Sequence, residues 1–320
     1  MLKKLSFTVL LSAILLVTFT LGTSKAQAGY ADNPSKLYYD LADQVYNVGK
    51  KTNAEIQHAI NLEHGANKFK VIDSVDINSN PNHPMGAPSY NLDRTGFKAL
   101  AVVINPDNPN ASKKLFIAFA GSEDGSDYAT AASSLLNGSV PGQLHQAHLY
   151  LNYIYDKFGY KDYQWYFTGH SLGGWLAAKS FLDVRAGITI VSNAKFTHYG
   201  PIKKKTISGV YTFNALSVAK TQMTDTQWTA NKNGTYDSDV KNLYIENEWL
   251  NSIYDMHSDK IAYIGVKGGV DKSIPHYSTF GYLQFGLLRD IVAYRNYSDS
   301  FYPNINKYHK LTYLNGSVFH

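Results

Sequence analysis

The chain contains no cysteine. That excludes disulfides, thiol catalysis and lipid attachment at a processing-site cysteine, and leaves a packed core as the source of stability. Net charge is also scarce. The whole chain carries +5, and three of its lysines, Lys3, Lys4 and Lys25, fall in a first stretch that has no acid, so the remainder carries only +2. That is too little to recruit nucleic acid. The basic run Ile202-Lys203-Lys204-Lys205 reads as a solvated loop rather than a binding patch. Internal repeats and low-complexity segments are absent as well.

A long apolar run occurs once. Leu5 to Leu21 is the apolar core of a secretory signal, preceded by Lys3 and Lys4 and followed by Ala26-Gln27-Ala28, a small-x-small cleavage site. A membrane anchor is the competing reading, but a run of about 17 residues that ends at a processing site, without a basic stop-transfer flank, suits cleavage better. Residues 1–28 are therefore expected to be a signal peptide and the protein to be secreted. From Gly29 onward about 290 residues remain, enough for one large α/β domain and too few for two with a linker. A single domain over 29–320 is the expectation.

Tyrosine is abundant, with 25 residues that crowd towards both ends. Rings with a polar tip suit wet interfaces and sugar or lipid surfaces, although packing on ordinary sheet surfaces is their commoner use. Along the chain, Leu37, Leu41, Ala42, Val45 and Val48 set a helical period from Ser35, a candidate N-cap, to a stop at Gly49. A second helix is predicted from Asn53 to Leu62, ending before Gly65. The stretch from Asp73 to Asp93 is crowded with Asn, Pro, Ser and Gly and reads as a long irregular loop. Strands are predicted at Leu100–Ile104 and Leu115–Phe119, the second apolar on both faces as in the middle of a covered sheet. A helix over about Gln143 to Phe158 then leads to a strand over Tyr163–Thr168, the crossover unit of a parallel sheet. Further strands are predicted at Ile207–Asn214 and Asn242–Glu246, while Ser217 to Asp239 is polar and poorly periodic.

The richest motif is Gly169-His170-Ser171-Leu172-Gly173-Gly174, set between that aromatic strand and the helical run Trp175 to Leu182. Gly-x-Ser-x-Gly in this context is a nucleophile elbow: the serine sits on a sharp strand-to-helix turn, and Gly169 and Gly173 are small because strand and helix nearly touch there. On these residues the chain resembles the class 3 lipases of the α/β-hydrolase superfamily, whose elbow commonly reads Gly-His-Ser-Leu-Gly-Gly. The resemblance extends over roughly Leu37 to His276. Gly96-Phe97 is similar to the family's entry into its sheet, and Phe119-Ala120-Gly121-Ser122 with Asp127-Tyr128 is similar to the family's Phe-Arg-Gly-Thr and Asp-Trp. Ala120 and Tyr128 depart from that pattern, which puts any salt bridge of the family's arginine in doubt. The resemblance implies an α/β-hydrolase fold with a mostly parallel central sheet covered by helices on both faces, acting on ester or acyl-lipid substrates, with transient contact with a lipid interface.

A serine hydroxyl needs a histidine to take its proton, and the histidine needs an acid to hold its tautomer. In α/β hydrolases they follow the serine in the order acid, histidine. His276, in a Pro-led loop before the apolar run Phe280 to Leu288, is the first choice for the base, ahead of His309. His198 precedes the acid and breaks the order, while His257 and, at the terminus, His320 also follow the serine. His170 adjoins the serine, and adjacent side chains point apart. Glu248 is the choice for the acid, with Glu246, Asp255 and Asp259 as rivals. The oxyanion would be held by the backbone N–H of Leu172, at the positive end of a helix, and by Ser122. Glu123, Asp124 and Asp127 read as a capping or solvated turn rather than a metal site, and no cofactor or metal is expected. The competing reading is a surface-binding or adhesion protein that keeps the scaffold without the activity.

Overall fold

A computed structural model of the chain describes residues 35–85, 96–108, 112–121, 142–157, 160–187, 189–191, 195–197, 207–244 and 258–269. Helix α1 (Ser35–Gln44) runs into a 3-10 turn, Val45–Asn47, and is followed by α2 (Asn53–His64). Next come strands β1 (Phe69–Asp76), β2 (Lys98–Ile104) and β3 (Lys114–Phe119), then α3 (Gly142–Lys157), β4 (Gln164–His170) and α4 (Leu172–Ala186). The remainder comprises β5 (Thr189–Val191), β6 (Lys195–Thr197), β7 (Ile207–Phe213), β8 (Val218–Ala219), α5 (Asp225–Lys232), β9 (Val240–Tyr244), β10 (Ile261–Ala262) and β11 (Val266–Gly269).

Seven strands form one sheet in the order β1-β2-β3-β4-β7-β9-β11. The pairs β1/β2 and β2/β3 are antiparallel, and β3/β4, β4/β7, β7/β9 and β9/β11 are parallel. Alternation along β4 separates two faces. Trp165 and Phe167 point to the side of α3 and α4, where the Tyr155 and Trp165 rings lie 6.1 Å apart. Thr168 points to the other side, where its hydroxyl donates to the carbonyl of Tyr38 in α1 (3.0 Å). Tyr38 also stacks on Tyr211 of β7 at 4.3 Å, and Tyr39 meets Phe213 edge-on at 5.6 Å. The sheet is thus mostly parallel with helices on both faces, as the sequence implies. Its middle strands are covered on both sides, which is why Leu115 to Phe119 reads as continuously apolar. Each fully buried large aliphatic or Phe side chain there contributes about 1.5–3 kcal/mol.

Three expectations need correction. Asp73 to Asp76 belong to β1, so the irregular segment begins later than expected. A register shift between Val71 and Asp73 breaks the alternation that would have announced the strand. Its outer edge is closed by side-chain amides of α2: Asn61 accepts from Phe69 N–H (2.8 Å) and donates to Phe69 O (2.9 Å), and Gln57 accepts from Val71 N–H (3.0 Å). Second, the polar segment 217–239 contains α5. Its start is a capping box in which Thr224 N–H donates to Gln227 (2.9 Å) and Gln227 N–H donates back to Thr224 (3.1 Å). Third, Ser35 is the first residue of α1 rather than its cap. Gly49 takes a left-handed φ of 81°, but the helix has already stopped before it, with Val48 extended at φ −59° and ψ 132°.

Candidate active site

The carboxyl ends of β3, β4 and β7 lie side by side, with Phe119 opposite Gly169 and His170 opposite Phe213. Ser171 follows at once, on the turn between β4 and α4, with φ 58° and ψ −126°. A side chain at positive φ outside glycine costs about 1–3 kcal/mol and persists only where its surroundings impose it. Here they do. Ser171 N–H donates to Phe213 O (3.0 Å), and its carbonyl accepts from Trp175 N–H (3.2 Å) and Leu216 N–H (3.3 Å). The turn is therefore clamped between β7 and the first turn of the helix.

The glycines show how tight the clamp is. A Cβ at Gly169 would run into the backbone of Gly173 and lie 2.8 Å from Gly174 N. A Cβ at Gly173 would run into Phe119 O and lie 2.7 Å from Ala120 C, and one at Gly174 would lie 2.6 Å from Ala215 Cβ. Leu172 is the first residue of α4, so its N–H has no intrahelical acceptor and stands at the positive end of the dipole. Ala120, where relatives of the resembled family have arginine, is a buried methyl at 6 % exposure, with its N–H on Lys98 O (3.1 Å).

His170 turns to the face opposite α4. Its Nδ1 lies 2.9 Å from the Tyr46 hydroxyl, which accepts from Gly121 N–H at 3.0 Å. This side-chain bridge escaped the sequence reading, because Tyr46 and His170 are 124 positions apart. Two turns into α4 a second polar group is sealed in the core. Lys179 and Asp183, both at 0 % side-chain exposure, form an ion pair, and His148 Nε2 of α3 stands 3.4 Å from Asp183 Oδ2, near enough to attract without hydrogen-bond geometry. Burial pushes the Asp183 pKa up, but Lys179 and then His148 outweigh it, so the carboxyl is held below the ordinary carboxylate range. The i,i+4 spacing of Lys179 and Asp183 was available in the sequence as a signal.

Ser171 as a residue is buried, at 3 % exposure, as its backbone clamp requires. Ser122, Glu248 and His276 lie outside the described residues, as do Glu123, Asp124, Asp127, Tyr128, His198, Glu246, Asp255, His257, His309, His320 and residues 1–28 and 202–205. Asp259 is exposed in the turn before β10, a setting in which water weakens any hold on an imidazole. Among the described residues no group of three or more His, Asp or Glu is placed to hold a metal ion. None of the helices among them is long and apolar enough to cross a membrane.

No protein-family model matches the chain, and no curated protein matches it. Among solved structures the chain is similar to a nonglycosylated lipase of Yarrowia lipolytica (14 % identity, 79 % of this chain and 85 % of that one, TM-score 0.48). It is also similar to a fungal lipase–inhibitor complex (15 % identity, 76 % and 81 %, TM-score 0.47) and to a Rhizomucor miehei lipase–propeptide complex (13 % identity, 78 % and 72 %, TM-score 0.43). Similarity of this degree carries no weight about chemistry, which rests on the strained serine and the contacts that hold it.

Proposed function

We propose that the chain is a secreted serine hydrolase of the class 3 lipase kind, cleaving carboxylic esters and most suitably acyl lipids met at a lipid surface. The supporting observation is Ser171 held at φ 58° at the carboxyl end of a parallel strand, directly before the first turn of a helix, whose leading N–H groups have no intrahelical acceptor. In this reading Ser171 Oγ attacks the ester carbonyl while His276 takes its proton, Glu248 holds the imidazole, and the oxyanion is met by the N–H of Leu172 and by Ser122. The alcohol leaves with the proton from His276, and water, activated by the same histidine, releases the acid from the acyl-enzyme. Secretion is carried by the signal-like residues 1–28, and residues 29–320 form the catalytic domain.

The test is hydrolysis of p-nitrophenyl esters from acetyl to palmitoyl, with and without a lipid interface, together with fluorophosphonate labelling mapped by peptide. Label on Ser171 and loss of turnover in Ser171→Ala are expected; full turnover in that variant removes the proposal. The abundant tyrosine and Ala120, in place of the resembled family's arginine, favour one second reading, an inactive scaffold that binds surfaces. Tight binding to cell-wall polymer or lipid with no label on any serine would select it.

A further inference from the structure

We propose that Tyr46 is a positioning residue that holds the loop leaving β3 against the nucleophile turn, acting through the Gly121 peptide; this rests on the serine-hydrolase reading above. Tyr46 stands in the 3-10 turn after α1, and its hydroxyl joins the exits of two adjacent parallel strands. It accepts from Gly121 N–H, two residues past β3, and meets His170 Nδ1 at the last residue of β4. A phenol oxygen has one proton and two lone pairs. With one lone pair taken by Gly121, its proton can go to Nδ1 of a neutral His170, giving a relay N–H to O–H to N in which each bond polarises the next.

The loop is pressed onto the elbow at the same place. A Cβ at Gly121 would lie 2.5 Å from His170 O, 2.6 Å from the Tyr46 hydroxyl and 3.0 Å from Ser171 Cβ, so only glycine fits between them. Because the Gly121 N–H is directed to Tyr46, it is not the group that would meet an oxyanion over Ser171. A donor from this loop must come from beyond Gly121, and the tilt of the peptide before it is set by the Tyr46 bond. A misaligned donor loses part of the 10²- to 10³-fold that such a group typically supplies. Substrate binding does not depend on it, so the loss should fall on kcat.

Tyr46→Phe removes the hydroxyl and keeps the ring. The measurement is ester hydrolysis by the full secreted chain, with kcat expressed per fluorophosphonate-titrated site, and hydrogen exchange of the Gly121 amide in the same samples. A roughly tenfold fall in kcat with KM within about twofold, and Gly121 exchange faster by about tenfold or more, are expected. A variant that only loosened the fold would lower the titrated fraction, leaving kcat per site unchanged. If Tyr46→Phe does not fold, His170→Leu decides, since it leaves Gly121 bonded but has no acceptor for the Tyr46 proton: a smaller fall in kcat, about threefold, is expected. Unchanged kcat per site or unchanged Gly121 exchange overturns the proposal. A wild-type chain that neither turns over esters nor takes label at Ser171 overturns the hydrolase reading instead, and the exchange measurement still decides whether Tyr46 holds the loop.

Discussion

The two halves of α4 are built on opposite principles. Its first turn carries no charge, packs glycine against backbone and holds a serine in a backbone conformation that serine disfavours. Its third and fourth turns carry a lysine and an aspartate at 0 % exposure, in ordinary helical geometry and paired with each other. The first arrangement stores strain where a reactive group would be presented; the second satisfies itself and presents nothing. A buried ion pair adds little net stability because desolvation consumes most of the attraction, yet removing one partner strands the other. Strain and buried charge are thus separable, one serving the proposed chemistry and the other satisfied within the core.

The sharpest way to break this contrast is to remove one side chain from each half. Ser171→Ala should lower kcat by several orders of magnitude, about 10⁶-fold where a serine nucleophile and its base act as a unit, while its denaturant midpoint stays at or above that of the wild type. Asp183→Ala should do the reverse, losing about 3–5 kcal/mol of stability in denaturant titrations with unchanged kcat per labelled serine, because Lys179 is left buried and unpaired. If Asp183→Ala unfolds no more easily than wild type, the core cluster is not what holds that half.

Gly173→Ala should cost about 3 kcal/mol, and activity with it, since its methyl would have to displace the β3 carbonyl at Phe119. Ser171→Gly should gain about 1 kcal/mol, a rise of about 2–4 °C in the melting midpoint, because glycine takes the positive φ freely. A lower midpoint would show that the turn is not strained. The smallest effect is that of pH. The Asp183 carboxyl is held below its ordinary range, so its contribution is complete above the unfolded value of about 3.9 and is lost as pH falls through the lower folded value. Acid titration of stability should therefore show a component in wild type, below about pH 4, that is missing in Asp183→Asn.

How much was legible follows the range of the interactions. The elbow is local: six consecutive residues contain the strand end, the turn and the glycines, and the structure places them as the spacing requires. The stop of α2 at Gly65 is equally local, and so is its start, where the structure shows Thr52 and Glu55 forming a capping box. β1 was obscured because its bulge breaks the alternation and its edge bonds come from Asn61 and Gln57, residues on another element. α5 has no apolar stripe to announce it, although Thr224 and Gln227 form a capping box at its start.

The sequence by itself determined the alternation of strand and helix, the elbow at Ser171 and the small residues its closeness demands, because each depends on neighbours within a turn or two of chain. Tertiary structure alone decided the order of strands in the sheet, the bridge from Tyr46 to Gly121 and His170, and the meeting of His148 with Asp183. All of these join residues far apart in the chain, and such contacts are fixed by how the layers pack rather than by any local preference of the backbone.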